Sequence, residues 1–266
     1  MASTLKSNPL LFKLHQLLLP LLDFKSTHTE RISCDIWAVT LGLRRGCLID
    51  HCQFSETSSR LLSSKLKEVG ELFSNLTIIF EIHSQSTFIC SRSVLHCDAR
   101  LNLKFITLSS NQIRLQEEPP EGFSDSISHI QNHSITNAFL LLNGFGSNPV
   151  TIAGWLIGYP FLYVTPKRAD WVWQDAHLKV INFTLMGSQS KELDHQLMAF
   201  SIPSEIEAQL DFEAILITLQ DKINQQIQSN GSDLSIWNHV TYSTKKLSNM
   251  ETTTILECNV NFENYA

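Results

Sequence analysis

The sequence predicts an α/β (or α+β) fold, formed by a single domain with a mixed, largely antiparallel sheet and about four helices. Three observations support it. The segment from Ser134 to Pro166 contains no charged residue and no histidine over 33 positions. An amphipathic helix pattern over 56–73 is followed directly by a dense apolar strand pattern over 76–83. The 266 residues are enough for one large core, so residues 1–266 are taken as one globular domain.

The uncharged segment is divided by glycine and proline, so it is not one element. Four apolar residues, 139–142, predict a buried strand, and the glycines of 143–148 predict a loop that adopts positive φ. Asn148 and Pro149 are typical of a helix start, and we expect a short buried helix over 149–157 followed by a strand over 161–164. Because a spanning helix needs about 20 unbroken apolar residues, we expect no membrane span here.

The first half of the chain predicts a helix, a hairpin and a βαβ unit. Asn8 and Pro9 are a cap and a first helical position, which favours an amphipathic helix over 9–22 rather than a signal peptide. The residues rich in β-formers at 32–43 and at 47–52 predict two paired strands. The strand at 47–52, the helix at 56–73 and the strand at 76–83 together predict a βαβ unit with a right-handed crossover.

The second half predicts further strands and one long helix. Strands are expected at 86–90 and 101–108, a hairpin at 177–187 with 196–202, and a last pair at 235–243 and 252–260. The acidic, proline-containing segment 116–136 is expected to be a solvated loop, and its composition leaves open whether that loop is ordered or disordered. A capping-box pattern, Ser204 to Glu207, predicts a helix over 204–229 with an apolar stripe.

Composition narrows the function classes. The net charge is −6 and the basic residues are scattered, so we expect no nucleic-acid partner, whereas a protein partner is compatible with the many aromatic residues. The six cysteines form no CxxC pair, which favours small buried hydrophobes and predicts no metal site. A zinc site built from His51, Cys52, His96 and Cys97 has unsuitable spacing.

One set of residues is a candidate site. Asp50 and His51 follow an apolar strand, where carboxylates reach the crevice of α/β proteins, and we name them as catalytic candidates. The loop between strand 139–142 and helix 149–157 is the candidate for binding a cofactor or an anion through Asn143, Gly144, Gly146 and Ser147. Three more acids are potential partners of Asp50, namely Asp35, Glu81 and Asp98. The alternative is that Asp50 caps a turn or a helix, and that Asp35 and Glu81 lie on the solvent faces of strands.

An aromatic cluster has two interpretations. It is either a pocket for a planar ligand or part of the core and a partner-binding surface. Its members are Trp155, Tyr159, Tyr163, Trp171 and Trp173.

Two segments resemble a known family. Gly154-Trp-Leu-Ile-Gly-Tyr-Pro160, following Phe139-Leu-Leu-Leu-Asn-Gly144, is similar to a small vertebrate family of about this length whose members are uncharacterised. The similarity covers nearly the whole chain, including Asp35-Ile-Trp37 and Cys47-Leu-Ile-Asp50. It implies a single intracellular domain and implies no reaction, cofactor or catalytic residue.

Two functions from different classes are therefore compatible with the sequence. The first is a non-catalytic binding or scaffold protein of the cytoplasm or nucleus. The second is a small-molecule-binding protein or enzyme that uses the strand ends near Asp50, His51 and the 143–148 loop. The second function predicts that these two segments lie close together at one end of the sheet. The sequence names no cofactor and no oligomeric state.

Overall fold

A computed structural model of the chain has an α+β fold, which confirms the predicted class. The structure describes the following parts of the chain: 8–21, 26–50, 54–96, 103–109, 112–134, 137–146, 148–165, 177–188, 191–231 and 236–247.

Eight α-helices occur in the described residues, twice the number expected. Two of them are short: Arg92–His96 has only five residues and Ser204–Glu207 only four. The helices are α1 (Pro9–Leu18), α2 (Ser26–Thr40), α3 (Glu56–Val69), α4 (Arg92–His96), α5 (Phe123–Ser134), α6 (Pro149–Ile157), α7 (Ser204–Glu207) and α8 (Phe212–Ser229). Two 3₁₀ turns, Glu71–Asn75 and Lys191–Leu193, complete the helical elements.

In the same part of the chain, ten strands form three sheets. The strands are β1 (Gly46–Ile49), β2 (Leu76–Glu81), β3 (Ser86–Ser91), β4 (Lys104–Ser109), β5 (Gln112–Gln116), β6 (Phe139–Leu142), β7 (Phe161–Val164), β8 (Leu178–Gly187), β9 (His195–Pro203) and β10 (Trp237–Leu247). A four-stranded sheet has the order β1-β3-β2-β6, and two three-stranded sheets have the orders β10-β8-β9 and β5-β4-β7. Most neighbouring pairs are antiparallel, while β2 with β6 and β4 with β7 are parallel.

The four-stranded sheet carries the candidate residues. Strands β1 and β2 run in the same direction and are joined by α3, but β3 lies between them and pairs antiparallel with both. The predicted crossover unit therefore forms, with a third strand inserted. The predicted pairing of β1 with 32–43 is wrong, because that segment is not a strand.

Residues 26–40 form the helix α2. Ile32, Ile36 and Val39 recur at helical spacing and are all buried, so one face of α2 packs on the core. The β-formers of this segment favoured a strand, and burial of the periodic face outweighed that preference.

The predicted loop at 116–136 is wrong over most of its length. Its residues 123–134 form α5, whose buried positions Phe123, Ile127 and Ile130 again follow helical spacing.

The long helix predicted at 204–229 is interrupted after Glu207. Asp211 starts α8 by accepting a hydrogen bond from the N–H of Ala214 at 3.3 Å, and α7 has no side-chain cap.

The uncharged segment forms the predicted strand, glycine loop, buried helix and strand. Gly144 and Gly146 have φ of 90° and 69°, and Gly158 ends α6 at φ 91°. The two strands belong to different sheets, and α6 packs against elements of both. Arg45 holds the end of this helix, since its guanidinium donates to the Trp155 carbonyl at 2.8 Å.

The contact between β1 and α6 generates a prediction. A Cβ at Gly46 would lie 2.6 Å from the Leu156 carbonyl oxygen and 2.9 Å from that of Ile89, and neither backbone atom can move easily. We expect Gly46→Ala to lower the free energy of unfolding by about 1–3 kcal/mol, measured by urea denaturation. The matched control is Gly70→Ala, whose Cβ would meet only the flexible Leu10 side chain at 3.4 Å. Equal stability of the two variants would contradict this packing.

Candidate functional site

The carboxyl ends of the parallel strands lie at one end of the four-stranded sheet. Asp50 follows β1 and is exposed, and the loop that begins at Asn143 follows β6. Because β1 and β6 are the two outer strands, three strand spacings separate them, which is about 14 Å. His51, Asp98 and Ser147 lie outside the described residues. The sheet thus places Asp50 and the 143–146 loop at the same end but at opposite edges.

Glu81 organises the turn between β2 and β3. Its side chain is fully buried and accepts hydrogen bonds from the N–H of His83 at 3.0 Å and from the N–H of Ser84 at 2.6 Å. Gly144 lies beside this turn, since a Cβ there would be 3.1 Å from the ring of His83. The expectation that Glu81 lies on a solvent face is wrong, because the turn needs its carboxylate as an acceptor.

A second group of polar side chains joins α2, β1 and β9. Asp35 of α2 accepts from Arg44 Nη1 at 3.2 Å and contacts His195 Nε2 at 3.1 Å. Arg44 also donates to the carbonyls of Gly46 and Leu197. The imidazole of His195 stacks on Trp237, with ring centroids 5.9 Å apart. We call Asp35, Arg44 and His195 the charged cluster. The expectation that Asp35 lies on the solvent face of a strand is wrong, because Asp35 belongs to helix α2.

The charged cluster favours the ionised form of Asp35. Burial alone would raise the pKa of this carboxyl group, and this is the largest single effect. The hydrogen bond with His195 and the positive charges of His195, Arg44 and Arg31 together outweigh it, so the pKa lies below its ordinary value. The sequence points to Asp35 as a partner of Asp50, because nothing local connects Asp35 to His195, which lies 160 positions away.

The described cysteines have no nucleophilic character. Cys34, Cys47 and Cys90 are free thiols, and burial is the main cause that raises the pKa of each. The pKa reaches about 12 for Cys34 and Cys90, so neither is a thiolate near neutral pH.

Two members of the predicted aromatic cluster, Trp155 and Tyr163, are held by contacts within the protein. Trp155 is buried, and Tyr163 donates from its hydroxyl to the Ser201 carbonyl at 2.9 Å. Burial raises the pKa of Tyr163 to about 12. Trp171 and Trp173 lie outside the described residues.

Strand β6 has an edge that no described strand covers. The N–H of Ile78 donates to the Ala138 carbonyl at 2.9 Å, and the N–H of Ile82 donates to the Leu142 carbonyl at 3.0 Å. Since alternate residues of a parallel strand bond to its neighbour, the peptide groups of Phe139 and Leu141 point away from β2. Within the described ranges these groups have no hydrogen-bond partner, and the Leu141 side chain is 37% exposed. We call this edge the β6 edge.

Three of the other outer strands, β5, β7 and β10, are protected. The edge of β7 is covered by α6, where Thr151 Oγ1 donates to the Tyr163 carbonyl at 2.6 Å. Strand β5 carries Arg114, and β10 carries Lys245 and Lys246 together with a bulge. Charges and bulges of this kind prevent edge-to-edge pairing. Strand β6 carries neither a charge nor a bulge, which distinguishes its edge from those of β5 and β10.

The described residues contain neither a candidate membrane span nor a candidate metal cluster. None of the helices there is both long enough and apolar enough to cross a bilayer. In the same part of the chain, no group of three or more His, Cys, Asp or Glu is arranged to hold a metal ion.

Comparison with known proteins identifies the family. Residues 22–251 match a family described as a domain of unknown function, DUF4504. The chain belongs to the DUF4504 family. This confirms the resemblance to an uncharacterised family, and DUF4504 membership assigns no reaction to the Asp50 region or the charged cluster. No match was found among curated proteins or among solved structures.

The charged cluster predicts a pH-dependent contribution to stability. We expect Asp35→Asn to lower the free energy of unfolding near pH 7 by about 3 kcal/mol, because Arg44 loses its buried counter-charge. The pKa of Asp35 is lower in the folded protein than in the unfolded chain, where it is about 3.9. Ionised Asp35 therefore stabilises the fold at pH values above about 3.9, and this stabilisation is lost as the pH falls through the pKa of the folded protein. The difference from wild type should therefore shrink below about pH 4, measured by urea denaturation across pH.

The matched control is Asp221→Asn on the exposed face of α8, which should change stability by less than about 0.5 kcal/mol. A difference that persists unchanged at low pH would show that the ionised carboxylate is not what stabilises the cluster.

Proposed function

We propose that this chain is a non-catalytic binding protein of the cell interior that takes up an extended segment of a protein partner along the β6 edge. The observation that carries the proposal is the pair of outward-facing peptide groups at Phe139 and Leu141, which have no partner among the described residues. An added strand would supply hydrogen bonds to both. The free thiols of the described cysteines support a reducing compartment, the cytoplasm or the nucleus.

The chemistry of β6 defines the partner segment. Leu141 is level with Phe80 of β2, and both project on the sheet face that carries Ile78 and Phe139. Leu140 and Leu142 project on the other face and are already buried in the core. A partner residue beside Leu141 would therefore meet apolar surface on one face only. We infer an extended segment that is uncharged over about four residues and has an apolar side chain beside Leu141.

Arg60 limits the segment at one end of the strand. Its guanidinium lies 4.3 Å from the ring centroid of Phe139 and pairs with Glu56 at 2.8 Å. This ion pair lies on α3, beside the start of the β6 edge. An apolar partner residue is accordingly placed towards Leu141 rather than towards Phe139.

The geometry gives less support to an enzyme. Asp50 and the 143–146 loop follow strands at opposite edges of the sheet, and the described thiols are held protonated by burial. Glu81 is occupied by the turn that it stabilises.

The test removes one outward N–H and leaves the inner ladder intact. Leu141→Pro deletes a donor that faces away from β2, a position where proline is tolerated in an edge strand. Random peptides of about ten residues, displayed on phage, are selected on the full wild-type chain after depletion on the Leu141→Pro chain. The Kd of an enriched peptide is measured by fluorescence anisotropy. We expect the variant to bind it at least about ten-fold more weakly, since a hydrogen bond and apolar contact are lost.

The matched control is Leu141→Thr, which keeps the N–H and should lose less affinity than the proline variant. Amide exchange at Phe139 and Leu141 should slow when the peptide binds. If urea denaturation shows that Leu141→Pro is much less stable than wild type, Leu141→Lys provides the same test by placing a charge on the edge. Peptides that bind wild type and both variants equally, or a failure to enrich any peptide, would reject the proposal.

A further inference from the structure

Helix α5 presents two histidines on its exposed face. His129 and His133 are four residues apart and therefore neighbours on the helix, and both are exposed. Their ring centroids are 4.2 Å apart and the ring planes are inclined by 43°. We propose that this pair is a binding site for Zn²⁺ and related divalent transition-metal ions.

A hydrogen bond within the pair orients one of the ligands. His133 Nδ1 lies 3.0 Å from the carbonyl oxygen of His129. A carbonyl oxygen can only accept, so Nδ1 carries the proton and Nε2 of the neutral ring has a free lone pair. Metal-binding histidines characteristically donate their second nitrogen to a carbonyl or a carboxylate in this way. This bond distinguishes the pair from two histidines that merely share a solvated helix face.

The separation of the rings suits one bound ion. Zinc–nitrogen distances are about 2.0–2.1 Å, so two nitrogens at a tetrahedral zinc are about 3.3 Å apart. Two imidazoles bound through ring nitrogens to one tetrahedral zinc have centroids about 5 Å apart, so rings with centroids 4.2 Å apart separate by about 1 Å on binding, through side-chain rotation. The helix beneath them is held by Phe123, Ile127 and Ile130, which are buried. The two ligands are therefore pre-positioned, and water completes the coordination.

The donor set selects the class of ion. Imidazole nitrogen suits zinc, copper and nickel, whereas magnesium and calcium prefer oxygen ligands. Because the imidazoles must be deprotonated to bind, affinity should fall as the solution is acidified. Two protein ligands give a weaker site than the four of a structural zinc centre, so the ion is exchangeable.

The experiment compares four full-length chains by calorimetric titration with ZnCl₂. We expect His129→Ala and His133→Ala each to bind one Zn²⁺ fewer than wild type, or to bind that ion at least about ten-fold more weakly. The reason is that each variant replaces a chelate by a single ligand. His177→Ala removes an exposed histidine elsewhere and should titrate like wild type. Titration with MgCl₂ should give no binding that depends on His129 or His133.

A site-specific readout separates this pair from zinc bound by cysteines. In long-range ¹H–¹⁵N spectra of the imidazole rings, Zn²⁺ should shift Nε2 of His133 and a ring nitrogen of His129, and leave His177 unchanged. The Leu141→Pro chain should bind Zn²⁺ like wild type, so this proposal and the one for the β6 edge fail or succeed separately. Equal zinc stoichiometry and affinity in all four chains, or shifts only at other histidines, would overturn the proposal.

Discussion

The carboxylate of Asp35 connects parts of the chain that are far apart in sequence. Through Arg44 it fixes α2 to the start of β1, and through His195 it fixes the same helix to β9. One buried acceptor thereby sets the position of a helix between two different sheets. Removing one charge from such a cluster lowers the free energy of unfolding by more than the intact cluster adds to it, because the remaining charges stay buried without their partner. The arrangement of the apolar core around α2 depends on this contact.

The elements that could be predicted from sequence are those whose apolar pattern and terminal residues agree. Asn8 caps α1 by accepting from the N–H of Leu10 and of Leu11, and Gly158 ends α6 in the left-handed region. Helix α2 could not be predicted from composition, since its β-branched residues favour a strand. The periodic burial of Ile32, Ile36 and Val39 contains the correct signal, but it competes with local propensity and is decided only by tertiary packing.

The loop expected at 116–136 hides the relation between His129 and His133 that the helix establishes. The acidic, proline-containing start of this segment resembles a solvated loop, and the helix begins only at Phe123. In a loop, two histidines four positions apart have no defined relation. In α5 they are neighbours, and the carbonyl of one orients the ring of the other. The expectation of no metal site rests on the spacing of the cysteines and of the histidines next to them, whereas the His129 and His133 pair is brought together only by a helix.

The segment from Ser134 to Pro166 combines structural and exposed roles. Its helix α6 covers the edge of β7, where Thr151 satisfies the Tyr163 carbonyl. Its strand β6 is built from the same kind of residues but lies at the outside of another sheet. An uncharged strand is needed on the inner side, because Leu140 and Leu142 fill the core. The same lack of charge leaves the outer side without the usual protection against pairing. Leu141 projects from the face that carries Ile78 and Phe139 and is 37% exposed, so the proposed partner segment would pack its apolar residue there.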